Sequence, residues 1–225
     1  MITLEERLQR LESLFTRISR DIKSDIRVSL PAKVTSFDPV KQTISCIPLI
    51  RELVNINGSV KYTDLPELKD VPIEMPRAGN WVITFPIKVG DECRVTFQDL
   101  CIDGWWFRGG IQNWNDLRRH DLSDAIATFS PWSLPNAISN YNSTDMEIRD
   151  LTGQIKLKFS ENGVVLDAPD GFSINGDVNI TGDVTSSGTI TGTTEVIGKG
   201  INLSTHTHLY SPGDGSPTST GTPQG

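Results

Sequence analysis

The sequence lacks several features that define large classes of proteins. Its 225 residues contain no run of about 18 apolar residues, so no membrane-spanning helix is predicted. Its acidic start lacks the basic region and apolar stretch of a secretion signal, and we therefore expect the chain to be made and folded in the cytoplasm. Basic residues are in the minority, since 21 Lys and Arg against 28 Asp and Glu give a formal net charge of −7. An acidic surface repels phosphates, so we expect no nucleic-acid partner.

Cysteine is scarce as well. The three cysteines are odd in number, and their spacing fits neither a disulfide framework nor a metal-binding motif. Cys46 and Cys93 fall within predicted strands. We therefore expect buried, reduced thiols.

Residue pairs that could carry acid–base catalysis are equally few. His120 stands beside Asp121, but neighbouring residues of a strand point to opposite faces, and Arg118 and Arg119 close by indicate a solvated loop. Asp99 and Asp103 carry no partner signature for glycoside hydrolysis. We expect that the protein is not an enzyme.

The composition changes abruptly near residue 133. All tryptophans and cysteines precede it, whereas the remainder is rich in Gly, Thr, Ser, Asn and Asp with isolated aliphatics. In that later part aliphatic residues recur at every sixth position, and glycines keep the same step. The aliphatics are Val178, Val184, Ile190 and Val196, and the glycines are Gly176, Gly182, Gly188 and Gly200. An even period puts every repeated aliphatic on one face of a strand, with glycine in the turns, which indicates a β-solenoid.

A flexible linker is the alternative interpretation of such a composition. The regular spacing of the β-branched residues and an alternating strand predicted at 155–159 favour the solenoid. One aliphatic per six residues is too little for a single-chain β-helix, because so small a coil buries too little apolar area to offset the entropy of ordering it. Three intertwined chains would bring these aliphatics together on a common axis.

The first residues predict an amphipathic helix. Its apolar residues follow the spacing 4-3-4-3-4, the a/d pattern of a short coiled coil, at Leu4, Leu8, Leu11, Phe15, Ile18 and Ile22. Such a helix either joins copies of the chain or packs onto its own domain. The pattern alone leaves both open.

Between residues 32 and 124 the sequence reads as short strands separated by turn signals such as Asp38–Pro39 and Gly90–Asp91. The predicted strands are 33–37, 43–47, 81–85, 92–97 and 105–107. Short strands at this spacing suit a small barrel of the OB type. In a strand at 105–107 one tryptophan would face the core and the other an interface, so packing is favoured over a sugar-stacking platform.

The chain has only three histidines, and two of them, His206 and His208, stand two positions apart near its end. In an extended segment both imidazoles leave the backbone on one face. Histidines in such a place are commonly plain surface residues. One chain supplies too few ligands for a closed metal site, but three chains meeting on an axis would supply six nitrogens, the number that an octahedral transition metal accepts.

Several blocks of the sequence resemble one family. They are PAKVTSFDPVKQT at 31–43, DVP at 70–72, TFPIKVGD at 84–91, CIDGWW at 101–106 and HDLSD at 120–124, followed by the C-terminal His-x-His and its Gly and Pro turns. These blocks look like the membrane-piercing central spike proteins of contractile-tailed phages. The resemblance implies a homotrimer with an OB-fold collar, a triangular intertwined β-helix and an apical iron ion. One iron per trimer would be shared by three chains and held by the two histidines of each, here His206 and His208.

The expected fold is therefore all-β. It comprises an N-terminal helix at 1–28, an OB-fold barrel at 29–125, a connecting segment at 126–150, an intertwined trimeric β-helix at 151–203 and a metal-bound apex at 204–225. The resemblance implies a structural spike at the tip of the tail baseplate in the virion, bound to a baseplate hub protein. Sheath contraction would push it mechanically through the host outer membrane, which it contacts transiently.

Two other functions are compatible with parts of the sequence. A trimeric receptor-binding or adhesin-like tail fibre is the alternative, but a carbohydrate-binding head would predict an aromatic-rich tip. A spike that carries a peptidoglycan hydrolase is disfavoured, because no extra domain fits between residues 124 and 155.

Overall fold

A computed structural model describes residues 4–56, 58–130, 132–210, 213, 218–219 and 221–222. The chain divides into two compact units, Met1–Asp167 and Ala168–Gly225. The expected apex at 204–225 therefore lies partly outside the described residues. Among the described residues, every helix is too short or too polar to cross a membrane.

The first unit is mostly β-structure with few helices, which confirms the all-β class. Its helices are α1 (Leu4–Asp25) and α2 (Asp103–Arg108), with 3₁₀ turns at Leu122–Asp124 and Leu134–Asn136. Its strands are β1 (Ser29–Asp38), β2 (Thr43–Pro48), β3 (Glu52–Ile56), β4 (Ser59–Thr63), β5 (Leu68–Pro72), β6 (Arg77–Ala78), β7 (Trp81–Val82), β8 (Glu92–Phe97), β9 (Ala125–Thr128), β10 (Met146–Arg149), β11 (Lys156–Ser160) and β12 (Gly163–Asp167).

Five of these strands form a half-barrel in the order β5-β2-β1-β8-β9, and each neighbouring pair is antiparallel. The long strand β1 has a bulge between Val34 and Ser36 and pairs with both β2 and β8, which bends the sheet. The two edges approach each other through a parallel bridge between Ile73 and Ala127 and a 2.8 Å hydrogen bond from the Glu74 amide to the Ala127 carbonyl. Strand β9 extends to residue 128, three positions past the expected barrel limit at 125.

The core of the first unit lies inside this half-barrel. Alternate residues of β1, β8 and β9 point inward, as the period of two requires. Several core residues of the half-barrel are at most 1% exposed: Ala32, Val34, Ile44, Cys46, Cys93, Val95, Ala125 and Ala127. Each fully buried Val or Ile contributes roughly 1.5–3 kcal/mol of transfer free energy. All three cysteines are buried and free, which confirms the expected burial of Cys46 and Cys93. A hydrogen bond with Cys93, followed by burial, raises the pKa of the Cys46 thiol.

Two predicted strands are wrong or too long. The run 105–107 lies in helix α2, where the Trp106 amide donates to the Ile102 carbonyl at 2.8 Å. Asp103 in the first turn and Arg108 in the last favour the helix dipole, and Gly109 ends the helix at φ 67°. The strand expected at 81–85 covers only Trp81–Val82. In both places tertiary context outweighs the β propensity of aromatic and branched residues.

Helix α1 forms over the heptad stretch, and every side chain in it whose exposure the structure describes is exposed. Phe15 is 65% exposed and Ile22 is 57% exposed. The sequence left open whether this helix joins copies of the chain or packs onto its own domain. In the single chain none of its described side chains is buried against its own domain.

Strands β10, β11 and β12 form a separate three-stranded antiparallel sheet with two different faces. The register places six apolar residues on one face: Met146, Ile148, Leu157, Phe159, Val164 and Leu166. The other face carries ion pairs, with Arg149 next to Glu147 at 3.4 Å and Lys156 next to Asp167 at 3.3 Å. The apolar face is largely exposed in the single chain, since Met146, Ile148 and Val164 are each more than 60% accessible.

In the second unit the described strands are β13 (Ile197–Gly198), β14 (Ile201–Asn202), β15 (Leu209–Tyr210) and β16 (Thr218–Ser219). β13 and β14 are joined by a two-residue turn in which Lys199 and Gly200 both have positive φ, as a type I′ hairpin requires. Residues 168–196, all described, lie in neither helix nor strand, and Val178, Val184 and Ile190 are 57–67% exposed. The intertwined β-helix stays a prediction.

Candidate functional site

The two C-terminal histidines lie close together. The ring centroids of His206 and His208 are 5.1 Å apart, and the ring planes cross at 85°. The segment between β14 and β15 that carries them is irregular rather than a strand, and it nevertheless brings both rings to one place. His206 is half-buried and His208 is exposed.

The backbone around His206 selects the tautomer of its neutral ring. Its Nδ1 lies 2.9 Å from the Leu203 carbonyl, which can only accept a hydrogen bond, so Nδ1 must carry the proton. The lone pair is then on Nε2. This is the tautomer found in histidines that bind metals through Nε2, where a backbone carbonyl orients the ring.

Glu195 holds the loop that precedes the histidines. Its carboxylate accepts hydrogen bonds from the Val196 amide at 2.9 Å, from the Ser204 amide at 3.2 Å and from the Ser204 hydroxyl. The Leu203 amide donates to the Val196 carbonyl at 2.9 Å and closes the same loop. The hydrogen bonds from Ser204 hold the pKa of Glu195 below its ordinary value. These hydrogen bonds hold the backbone of the loop that leads into His206.

A second polar cluster lies in the first unit, around Arg118. Its Nε donates to Asp124 Oδ2 at 2.7 Å, and its Nη2 donates to Asp103 Oδ2 at 2.7 Å and to Cys101 Sγ at 3.1 Å. Asp124 is fully buried and also accepts from the Ile102 amide at 3.0 Å. The hydrogen bond with Asp124 and then that with Asp103 raise the pKa of Arg118. Arg118 and Arg119 do lie in a loop as expected, and the Arg119 side chain is 56% exposed, but that of Arg118 is only 24% exposed because it enters this cluster.

Cys101, Asp103 and Asp124 offer ligand atoms within 4.8 Å of one another, so their geometry is compatible with a metal ion. The guanidinium of Arg118 donates to all three side chains and supplies the positive charge that a cation would bring. A metal would have to displace it. We therefore read the cluster as an ion pair that ties α2 to the half-barrel.

The side chains of His120 and Asp121 contact different partners. His120 adopts φ 48°, and its Nε2 lies 3.4 Å from Asp99, while its buried Nδ1 has no hydrogen-bond partner among the described residues. Asp121 instead caps the following 3₁₀ turn by accepting from the Ser123 amide at 2.8 Å. The structure thus separates the two side chains that the sequence sets side by side.

A groove of about 960 Å³ lies beside the short hairpin of β6 and β7. Five aromatic side chains line it: Phe37, Trp81, Phe85, Trp105 and Trp106. Trp81 is 85% exposed and Trp105 is 49% exposed, so these two rings lie outside the core of the single chain, whereas Phe37 packs against it. The sequence did not predict this groove, because it depends on the helical turn of α2.

Comparison with known protein families finds a match over the half-barrel. Residues 30–130 match the family described as phage protein Gp138 N-terminal domain. The matched segment runs from β1 to just beyond β9, so it contains the whole half-barrel and the Arg118 cluster. A comparison with curated proteins found no match. The family match supports a phage tail or baseplate-related protein.

Proposed function

We propose that the chain is the non-enzymatic central spike of a phage tail baseplate, a homotrimer that punctures the host outer membrane when the sheath contracts. The observation that carries this proposal is the match of residues 30–130 to a phage protein domain. In this proposal the half-barrel is an OB-type collar that contacts the baseplate hub. The protein is a virion component, and its net charge of −7 disfavours a role in binding nucleic acid.

The exposed aliphatics of the second half support a trimer. Val184 and Ile190 are 64% and 67% exposed in the single chain, although valine and isoleucine are among the residues most often buried. Their six-residue period would place each of them beside its copies on a three-fold axis. The apolar face of the β10-β11-β12 sheet presents a further surface of the same kind.

A polar spike does not dissolve in lipid, so the work of crossing a membrane must come from outside the chain. Sheath contraction is the source that we propose. The chain then has to stay rigid under load. Interlocked strands supply rigidity, because bending would break many paired backbone hydrogen bonds at once.

The donor chemistry of the histidine pair suits a shared iron ion. The Nδ1 of His206 donates to the Leu203 carbonyl, which leaves Nε2 for a metal. The ring centroids of His206 and His208 are 5.1 Å apart. His206 and His208 of three chains supply six imidazole nitrogens, a set that fits an octahedral transition metal and not four-coordinate zinc. When bound, the ion would join three chain ends that otherwise fray.

The test is the mass and iron content of the full chain. Sedimentation of the purified protein should give the mass of three chains, and elemental analysis should give about one iron per three chains. The double variant His206→Ala, His208→Ala should keep the mass and lose the iron, because the trimer is held by apolar burial elsewhere. A monomer would contradict the spike. One metal per chain, or iron that persists in the double variant, would contradict the shared site.

A further inference from the structure

Helix α1 carries a long apolar stripe whose described side chains all stay exposed in the single chain. Its described apolar side chains are all between 43% and 65% exposed: Leu8, Leu11, Leu14, Phe15, Ile18 and Ile22. The hydroxyls on its polar side bond back to the helix itself, from Ser13 to the Arg10 carbonyl and from Thr16 to the Glu12 carbonyl, each at 2.8 Å. Most of the stability of a protein helix comes from packing of its amphipathic face, so this 22-residue helix would gain stability by burying its apolar side.

The heptad pattern shows what kind of surface this is. With Leu8 at position a, the a positions are Leu8, Phe15 and Ile22, and the described d positions are Leu11 and Ile18. The outward positions b, c and f are polar throughout the helix: Glu6, Gln9, Arg10, Ser13, Thr16, Arg17, Arg20, Lys23 and Ser24. A strict 3-4 spacing is the narrow seam of a coiled coil.

A membrane surface is the wrong occupant for this helix. Helices that lie on membranes combine an apolar face with an excess of Lys and Arg on the polar face. Helix α1 has five basic and five acidic residues over residues 4–25, so its charge balances. Anionic headgroups therefore have no net positive charge to attract.

We propose that α1 forms a parallel, in-register coiled coil with the α1 helices of two further copies of this chain. In a parallel arrangement the g position of one helix faces the next e position of its neighbour. The sequence places Arg7 at g and Glu12 at the following e, which are opposite in charge, and Leu14 and Ser19 at the next such pair, which are uncharged. Of these two pairs of g and e positions between neighbouring copies, one is therefore opposite in charge and the other is neutral.

Three strands fit the seam better than two. Two-stranded coiled coils favour β-branched residues at a and Leu at d. Here two of the three a positions, Leu8 and Phe15, are not β-branched, and one of the two described d positions is Ile18. Leu14 at g widens the apolar stripe beyond a and d. The number of strands rests on the trimer of the proposed function, while the helix-to-helix contact rests on α1 alone.

The test compares two thiols on the same helix of the full chain, Leu11→Cys in the seam and Ser13→Cys at an outward f position. The three native cysteines are buried, so the added thiol is the reactive one. Seam positions of neighbouring helices approach the roughly 4.4–6.8 Å between Cα atoms that a disulfide needs. Outward positions lie on the far sides of helices about 10–12 Å across. Mild oxidation should couple Leu11→Cys between chains at least about tenfold faster than Ser13→Cys. The pair Ile18→Cys and Arg20→Cys should repeat the contrast.

The outcomes separate this proposal from the spike itself. Equal, slow coupling at positions 11 and 13 in a protein of three-chain mass would overturn the coiled coil and leave the spike standing. In an antiparallel contact position 11 of one helix would lie opposite position 18 of its neighbour. The two copies of position 11 would then be about 10 Å apart along the axis, at 1.5 Å per residue, and would not couple. Absence of coupling at position 11 therefore also overturns the parallel arrangement. A monomer overturns both. Retention of the helix on anionic vesicles, lost when Leu11 is replaced by Glu, would make the occupant a membrane and overturn the coiled coil.

Discussion

The half-barrel and the six-residue repeat use the same aliphatic residues in opposite ways. In the half-barrel Val34, Ile44 and Val95 are at most 1% exposed, whereas in the repeat Val178 and Ile190 are more than half exposed. The half-barrel brings strands from distant parts of the chain around one core. The repeat offers one aliphatic every six residues, and in the described part of its unit Val178, Val184 and Ile190 stay 57–67% exposed.

The difference shows which part of the chain is self-sufficient. A segment that buries alternate residues on five paired strands can offset the entropy of ordering its backbone, and a segment of isolated aliphatics cannot. The first should keep its fold as a single chain, and the second should depend on other copies. Changes made separately in each region test this contrast.

The largest expected effect is in the repeat. Val184→Asp should abolish the trimer, because three unpaired carboxylates would meet at one place and the desolvation penalty is several kcal/mol per ion. Tryptophan fluorescence should not change, since all five tryptophans precede residue 133. Thr185→Asp is the matched control, because residue 185 would lie on the opposite face of the proposed strand. It should leave the sedimentation mass unchanged. A full yield of trimer from Val184→Asp would show that the repeat is not an interface.

A smaller effect is expected inside the half-barrel. Arg118→Leu leaves the fully buried Asp124 without its ion-pair partner, and breaking such a pair costs about 3–5 kcal/mol. Because Arg118 is 24% exposed, we expect the low end of that range. The readout is urea unfolding followed by tryptophan fluorescence.

Arg119→Leu is the matched control for Arg118→Leu. Its charge contacts the exposed Asp99 at 3.6 Å and the Trp114 ring at 5.5 Å, contacts worth about 1 kcal/mol or less each. Equal losses for the two arginine variants would mean that the cluster does not stabilise the half-barrel.

The smallest effect is expected at the loop held by Glu195. Hydrogen bonds from Ser204 lower the pKa of this carboxyl in the folded state, so the stability that it contributes is present above the ordinary glutamate pKa of about 4.3. That stability is lost as the pH falls through the lower folded-state value. Amide-exchange protection at Leu203 and Ser204 should decline over this range, and Glu195→Gln should remove the pH dependence. Protection that is independent of pH in the native protein would contradict this assignment.

The rings of His206 and His208 lie together, as their i, i+2 spacing suggests, although the segment is not a strand. That they bind a metal stays a prediction. Which nitrogen is left for a metal could not be predicted, because it depends on the Leu203 carbonyl three residues earlier, which the local fold turns toward the ring. The Arg118 cluster had no sequence signal, because its members are brought together only by the packing of α2.

The sequence by itself determined the features that depend on short periods. These are the apolar stripe of α1, the alternation of the half-barrel strands and the six-residue step of the second half, since one turn or one pleat defines each of them. Only the tertiary structure decided where the aromatic run 105–107 lies and what Arg118 contacts. A helical turn and a buried ion pair gain their free energy from residues far along the chain, and no local pattern of side chains records those partners.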